Sequence, residues 1–164
     1  MEKNNKNETA DTMFPLIQGL DTKKGIALTG GTIESYRQVL SMFCKDARER
    51  LQKFRFYLFE SMSGAGDTFP EKYLSPLTTQ LQALKTASAT IGAGELSAEA
   101  AGIEAAGKSG ELALIQDKLP GFIEQLTELV NNVRAALEGG QSGEGSELLP
   151  GETENADVSG YISI

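Results

Sequence analysis

Histidine is absent from the 164-residue chain. Its absence excludes the Ser-His-Asp and Cys-His arrangements, in which an imidazole activates a nucleophile, and zinc sites of the usual His/Cys kind. We therefore expect no metal, no cofactor and no free-standing catalysis of a common hydrolytic type. Whether the chain is part of an enzyme stays open at this point.

Other scarcities narrow the class of protein further. The single Cys44 cannot form an internal disulfide, which fits a reducing, cytoplasmic compartment. No apolar run approaches the ~20 residues that span a bilayer, and Met1 to Asp11 is polar, so we expect neither membrane contact nor a signal peptide. No basic run is visible and the net charge is −8, which disfavours a nucleic-acid partner.

Composition divides the chain into three segments. Residues 1–12 are polar and we expect them to be disordered. Residues 139–164 hold five acidic residues and no Lys or Arg, and they are rich in Gly and Ser, which is typical of a flexible tail. The predicted folded region is 13–138.

Apolar residues at spacings of three and four predict helices throughout the folded region. Aromatic residues make up only 7% of the chain, whereas Ala, Leu, Glu, Gln and Lys are plentiful, as helices favour. The first predicted helical stretch is short and consists of residues 14–18 and 22–28. The others are 32–61, 70–91, 97–108 and 111–138, and Thr32 is the predicted N-cap of the second. We predict an all-α protein, an up-down four-helix bundle with a short extra N-terminal helix. On the wheels of these helices few apolar side chains are left outside the core.

The helix predicted over 70–91 has an unusual outer face. Gln82 lies there among small or polar residues, with one lysine and no carboxylate between Glu71 and Glu95; its companions are Thr78, Thr79, Lys85, Thr86 and Ala89. A small, locally positive face suits docking by a partner with negative charge. The alternative is an ordinary solvated helix face.

The stretch Ala83-Leu84-Lys85-Thr86-Ala87-Ser88-Ala89-Thr90-Ile91-Gly92-Ala93 resembles the active-site helix of histidine-containing phosphotransfer (HPt) domains of multistep phosphorelays. In that family the helix reads His, any residue, Leu, Lys and a small residue, and Gln82 stands where the family has its phospho-accepting His. Segments around residues 18–31, 36–47, 96–107 and 122–129 are similar to other parts of the family. The resemblance extends over about 120 residues.

The resemblance implies a four-helix phosphorelay module that docks receiver domains of response regulators or hybrid kinases, is monomeric, and can form part of a hybrid histidine kinase. Family members carry a phosphoryl group between receiver aspartates on an imidazole nitrogen. The resemblance further implies that Lys85 stabilises the transferring phosphoryl and that Thr86 is at the position that must stay small. It also implies that Glu104 and Lys108 give polar support from the neighbouring helix. For Glu104 and Lys108 an ordinary solvated role is equally plausible.

Gln82 cannot replace the imidazole, because the lone pair of its amide nitrogen is delocalised. We therefore expect a transfer-inactive module, in which Gln82 is either an introduced substitution or the residue of a naturally degenerate, purely binding member. The rival hypothesis is a non-relaying helical-bundle adaptor or oligomerisation module. That hypothesis predicts apolar residues left exposed after the helices pack.

Overall fold

The structure, a computed structural model, describes residues 14–63 and 68–141, and the regular secondary structure of these residues is entirely helical. The helices are α1 (Thr22–Leu28), α2 (Ile33–Ser63), α3 (Leu74–Thr90), α4 (Gly94–Lys108) and α5 (Leu112–Gln141), with a 3-10 turn at Glu71–Tyr73. No strand occurs in the described ranges, which confirms the all-α prediction. The segments predicted as disordered (1–12) and, from residue 142 on, as flexible tail lie outside the described residues.

Contacts divide the chain into two compact units, and each is described by itself. One is Leu16–Val133; the other comprises Met1–Pro15 and Arg134–Ile164. Of the second unit the structure describes buried Phe14, half-buried Pro15 and the helical residues 134–141. The first unit contains every predicted site residue.

The chain before α1 is not helical, contrary to the prediction for Phe14–Gln18. Gln18 and Gly19 form a turn, closed by a hydrogen bond from the amide of Leu20 to the carbonyl of Ile17, and Gly19 has a φ of 95°. A residue with positive φ breaks a right-handed helix, and glycine adopts this conformation at little cost. Helix α1 begins only afterwards, where the Asp21 side chain accepts a hydrogen bond from the amide of Lys24.

Helix α2 is the longest helix, and its start was predicted correctly. The hydroxyl of Thr32 accepts a hydrogen bond from the amide of Ser35 at 3.1 Å, as an N-cap should. The predicted apolar stripe is buried at most positions, although Leu58 is half-buried and its neighbour Tyr57 is buried instead. The Tyr57 hydroxyl accepts a hydrogen bond from the buried side-chain amide of Gln80 in α3. Because this contact provides a partner for its hydroxyl, Tyr57 can occupy the buried position that was predicted for Leu58.

Helices α3 and α4 form an antiparallel hairpin joined by Ile91, Gly92 and Ala93. Pro76 is the third residue of α3, in the first turn, where its missing N–H costs no helical hydrogen bond. Helix α4 begins at Gly94, earlier than the predicted Ser97. Ser97 therefore lies inside α4, and the Ser97 hydroxyl donates to the carbonyl of Lys85 at 2.8 Å.

The α3–α4 turn is held by the segments that precede it in the chain. The hydroxyl of buried Tyr36 donates to the Ile91 carbonyl at 2.8 Å, and the amide of Asp21 donates to the Gly92 carbonyl at 2.9 Å. Burial raises the pKa of Tyr36 well above its usual range, so the hydroxyl stays a donor. Gly25 lies against the same group, and a Cβ there would collide with the Tyr36 ring and the Ile91 carbonyl.

Helix α2 also packs against α5, in the opposite chain direction. The rings of Phe54 and Phe122 meet edge to face at 6.2 Å between centroids, and Arg55 donates to the Thr127 hydroxyl at 2.9 Å. The side chains that are almost fully buried here are Phe54, Phe122, Leu77, Leu81, Leu84, Leu119, Leu126 and Leu129. The apolar core therefore lies where α2, α3 and α5 present their stripes.

Several large apolar side chains remain outside this core. The exposed ones are Leu16, Leu28, Met42, Phe56, Phe59, Met62 and Leu114. The helical wheels predicted few, so this expectation was wrong, and four of the seven lie on α2. None of the helices in the described residues combines the length and apolarity needed to cross a bilayer.

We predict that replacing Gly92 lowers the stability of the fold, because its backbone conformation and its close approach to Asp21 both require glycine. It has a φ of 92°, and a Cβ on it would collide with the carbonyl of Asp21. We expect Gly92→Ala to lower the free energy of unfolding by at least about 2–3 kcal/mol. Gly31→Ala is the matched control, since Gly31 has a φ of 85° with open space around the Cβ position, and should cost only about 1 kcal/mol. Urea denaturation followed by circular dichroism measures both; equal losses would contradict the close-approach argument.

Candidate functional site

The outer face of α3 is small, polar and accessible. Gln82 is exposed, and so are Thr79, Thr86 and Ala89. Beneath them Leu77, Leu81 and Leu84 are fully buried, which fixes the rotation of the helix about its axis. The structure thus brings four of the eight predicted site residues together on one surface. We call these four residues, Thr79, Gln82, Thr86 and Ala89, the α3 face.

Thr78 and Lys85 do not belong to the α3 face, which corrects the sequence prediction. Both are half-buried and turned toward α4. Thr78 packs against Gly107, where a Cβ would collide with the Thr78 methyl group, so glycine at 107 allows the two helices to approach closely. Lys85 is 37% exposed, and its Nζ lies 2.7 Å from Oε1 of Glu104.

Glu104 is the unexpected centre of this region. Its side chain is only 4% exposed, so it is not a solvated helix charge. Its second oxygen, Oε2, lies 3.2 Å from the Nζ of exposed Lys108, one turn further along α4. The sequence of α3 itself holds no carboxylate between Glu71 and Glu95, but α4 supplies one beside Lys85.

The electrostatics of the cluster follow from its burial. The hydrogen bond from Lys85 lowers the pKa of Glu104, aided by Lys108, while burial acts in the opposite direction. Glu104 is thus ionised at neutral pH and is shared by two lysines. The cluster of Lys85, Glu104 and Lys108 has a net charge of +1.

Two residues that the sequence analysis did not single out position this cluster. Gly107 brings α4 close to α3, and the Ser97 hydroxyl binds the carbonyl of Lys85 itself. The wheel of α4 could have revealed the burial of Glu104, because Ala100, Ile103 and Gly107 are all buried and position 104 lies between them on the helix surface.

Hydrogen bonding and lysine charge are the chemical features of the site. The Gln82 amide donates and accepts hydrogen bonds but is not a usable nucleophile. Among residues 14–63 and 68–141 no group of three His, Cys, Asp or Glu side chains is placed to hold a metal ion.

We predict that Glu104 stabilises the fold in a pH-dependent way. Its folded-state pKa lies below the ordinary value of 4.5, so its stabilisation is present above that pH and is lost as the pH falls through the folded-state pKa. We expect Glu104→Gln to lower the free energy of unfolding by about 1–2 kcal/mol at pH 7, and by progressively less as the pH falls through the folded-state pKa.

Glu99→Gln is the matched control, because Glu99 lies on the same helix but is exposed. Chemical denaturation of the parent and both variants between pH 3 and pH 7 provides the measurement. A pH-independent difference, or one shared by Glu99→Gln, would contradict the assigned role of the Glu104 carboxylate.

The chain was also compared with known proteins. No family model matches it, and neither a curated protein nor a solved structure matches it significantly.

Proposed function

We propose that the protein is an HPt-type signalling module that docks receiver domains without relaying phosphate. In this proposal α2 to α5 form an up-down four-helix bundle and α1 is the extra N-terminal helix. One observation carries the proposal: Gln82 is exposed on α3 at the position of the family's acceptor, one turn before a lysine that a buried carboxylate holds, in a chain without histidine.

The shape of the α3 face supports docking. Thr79, Thr86 and Ala89 are exposed and short, so another protein can approach the helix backbone closely. Long charged side chains at these positions would have to be displaced or immobilised, at an entropic cost. Thr86 is larger than the Gly or Ser that is usual in the family at this position.

The charge beside the α3 face supports the same class of partner. A receiver domain presents a phosphorylatable aspartate, and Lys85 and Lys108 together outweigh Glu104 by one positive charge. Such complementarity speeds encounter and disfavours wrong partners more than it raises affinity. We therefore expect a weak, salt-sensitive complex.

Because Gln82 is not a nucleophile, the module can bind receivers without accepting phosphate from them. A phosphoryl group taken from an aspartate needs an acceptor atom with an available lone pair, and the Gln82 amide has none. A docking module without an acceptor acts as a scaffold for receivers or as a competitor of active carriers. Both roles apply whether Gln82 is native or introduced, and both suit a cytoplasmic domain within a larger kinase.

A second candidate function is supported by a different observation. The adaptor hypothesis predicts apolar side chains outside the core, and Phe59 and Met62 are 64% and 75% exposed. An adaptor would use this surface whether or not receivers bind the α3 face. The two functions are compatible, since they use different residues.

We predict that a cognate receiver domain binds a surface centred on Gln82 and Lys85. In an NMR titration of the labelled protein, chemical-shift changes should cluster in α3 and the adjoining turns of α4. Thr86→Glu should weaken binding at least about tenfold, because it adds bulk and negative charge to the α3 face. Gln52→Glu is the control, because Gln52 is an exposed residue of α2, and it should leave binding unchanged. Shift changes elsewhere, or equal effects of the two variants, would disprove the docking site.

We also predict that Gln82→His restores phosphate acceptance. The imidazole would be exposed, with a pKa near neutrality, and could attack the aspartyl phosphate of a receiver. Incubation with a radiolabelled phosphorylated receiver should give an acid-labile label on Gln82→His and none on the parent chain. Gln52→His, an exposed histidine on another helix, is the control for nonspecific labelling. If the Gln82→His variant binds the receiver but stays unlabelled, the site lacks more than its acceptor.

A further inference from the structure

The buried carboxylate of Glu104 has two lysine partners, one for each of its oxygens. The Nζ of Lys85 lies 2.7 Å from Oε1, and the Nζ of Lys108 lies 3.2 Å from Oε2. The lysines come from different helices, since Lys85 belongs to α3 and Lys108 follows Glu104 by one turn of α4. The carboxylate therefore does not depend on a single cation for its neutralisation.

The two contacts of the carboxylate differ in quality. Lys85 donates a short hydrogen bond to Oε1, whereas Oε2 is buried and takes no hydrogen bond from the residues that the structure describes. A buried carboxylate oxygen of this kind can still accept a hydrogen bond, and gains from one. Lys108 is already within ion-pair distance of Oε2, so a small movement of its exposed side chain would complete that bond.

Exposure determines which of the three groups can move. The Glu104 side chain is 4% exposed, that of Lys85 37% and that of Lys108 66%. Lysine stems are long and flexible, whereas the carboxylate is held between the helices. The Ser97 hydroxyl fixes the backbone of Lys85 by donating to its carbonyl. Gln82 lies three residues before Lys85 and is its neighbour on the helix surface, so a rotation of the Lys85 side chain would bring the ammonium to the α3 face.

We propose that Lys108 is a second counter-ion for Glu104, which allows Lys85 to leave the carboxylate and contact the phosphorylated aspartate of a docked receiver. The inference rests on the proposed function for the identity of the partner, and Lys108 is a positioning residue that acts through Glu104. Without Lys108, the movement of Lys85 would leave a buried carboxylate unpaired, which is costly. With Lys108 in place, Glu104 stays neutralised and the charge of Lys85 becomes available at the α3 face.

The charge of the partner determines whether Lys85 changes partners. An aspartate carboxylate has one negative charge, as Glu104 has, and therefore offers Lys85 little gain over the carboxylate that it already contacts. A phosphoryl group has a charge of roughly −1.5 to −2 and three acceptor oxygens, so it attracts an ammonium more strongly. The exchange should therefore occur with a phosphorylated receiver and much less with an unphosphorylated one.

The alternative is that Lys108 contacts the receiver itself, because its ammonium is exposed beside the same cluster. The two roles predict a different dependence on Glu104. A second counter-ion matters only while there is a carboxylate to neutralise, whereas a direct contact with the receiver remains when Glu104 is replaced. A double-mutant cycle between positions 104 and 108 separates the two roles.

The first experiment needs no receiver. Lys85→Met, Lys108→Met and the double variant retain most of the apolar stem of each lysine and remove its charge. In urea denaturation the double variant should lower the midpoint by more than the sum of the two single variants, because only the double variant leaves the carboxylate unpaired. Additive decreases, or a Lys85→Met variant as unstable as the double variant, would overturn the proposal.

The second experiment measures affinity for a receiver with and without beryllofluoride, which mimics the phosphoryl group on the receiver aspartate. Lys108→Met should weaken binding of the treated receiver several-fold and affect the untreated receiver less. In the Glu104→Gln background the same substitution should have no effect. Lys118→Met is the matched control, because it removes an exposed charge from α5, and it should bind like the parent. Circular dichroism verifies that each variant is folded.

The outcomes separate this inference from the proposed function. Equal losses from Lys108→Met in the parent and Glu104→Gln backgrounds would assign Lys108 to direct contact with the receiver and overturn its role as a counter-ion. Equal affinity of the parent for treated and untreated receivers would overturn the phosphoryl group as the new partner of Lys85. If no receiver binds the parent chain, the proposed function fails together with that partner, and the denaturation experiment alone decides whether Lys108 supports Glu104.

Discussion

The buried carboxylate of Glu104 constrains the arrangement around the candidate site. A buried charge costs several kcal/mol unless it is paired and hydrogen-bonded. Glu104 therefore depends on the register that brings Lys85 of α3 beside it, while Lys108 lies one turn further along its own helix. A shift of α3 against α4 by one residue would turn Lys85 away and leave the carboxylate with exposed Lys108 alone. An apolar residue at position 104 would tolerate such a shift much better.

A second constraint acts at the opposite end of the α3–α4 hairpin. Tyr36 and Asp21 hold the carbonyls of Ile91 and Gly92, and Gly25 leaves room for this contact. The turn fixes where α3 ends, and the Glu104 pair fixes its rotation relative to α4. Together they leave Gln82 no orientation except toward solvent. The exposure of Gln82 is thus a consequence of contacts made on the buried sides of the hairpin.

The sequence predicted local features well and contacts between helices poorly. The Thr32 cap and the buried stripe of α2 follow from periodicity and hydrogen-bond capacity within one helix, and both were predicted. The burial of Glu104 depends on which side of α4 meets α3. The residue type does not indicate this side, because a charged residue in an Ala-rich helix is compatible with either an inner or an outer position. Thr78 was misplaced for the same reason, since its inward position depends on Gly107 across the interface. Phe56 and Phe59 lie outside the core stripe on a wheel of α2, so their exposure follows from the sequence, although few exposed apolar residues were expected.

The amide at position 82 also determines how the surface responds to pH. A histidine at this position would gain charge near pH 6–7 and make docking sensitive to small changes in pH. The Gln82 amide is neutral at every pH of interest, and the lowered pKa of Glu104 keeps that carboxylate ionised well below neutrality. The charge beside the α3 face is therefore constant across the physiological range. Under the proposed function, such a surface would bind a receiver equally well across this pH range, whereas a histidine at position 82 would make the affinity depend on pH.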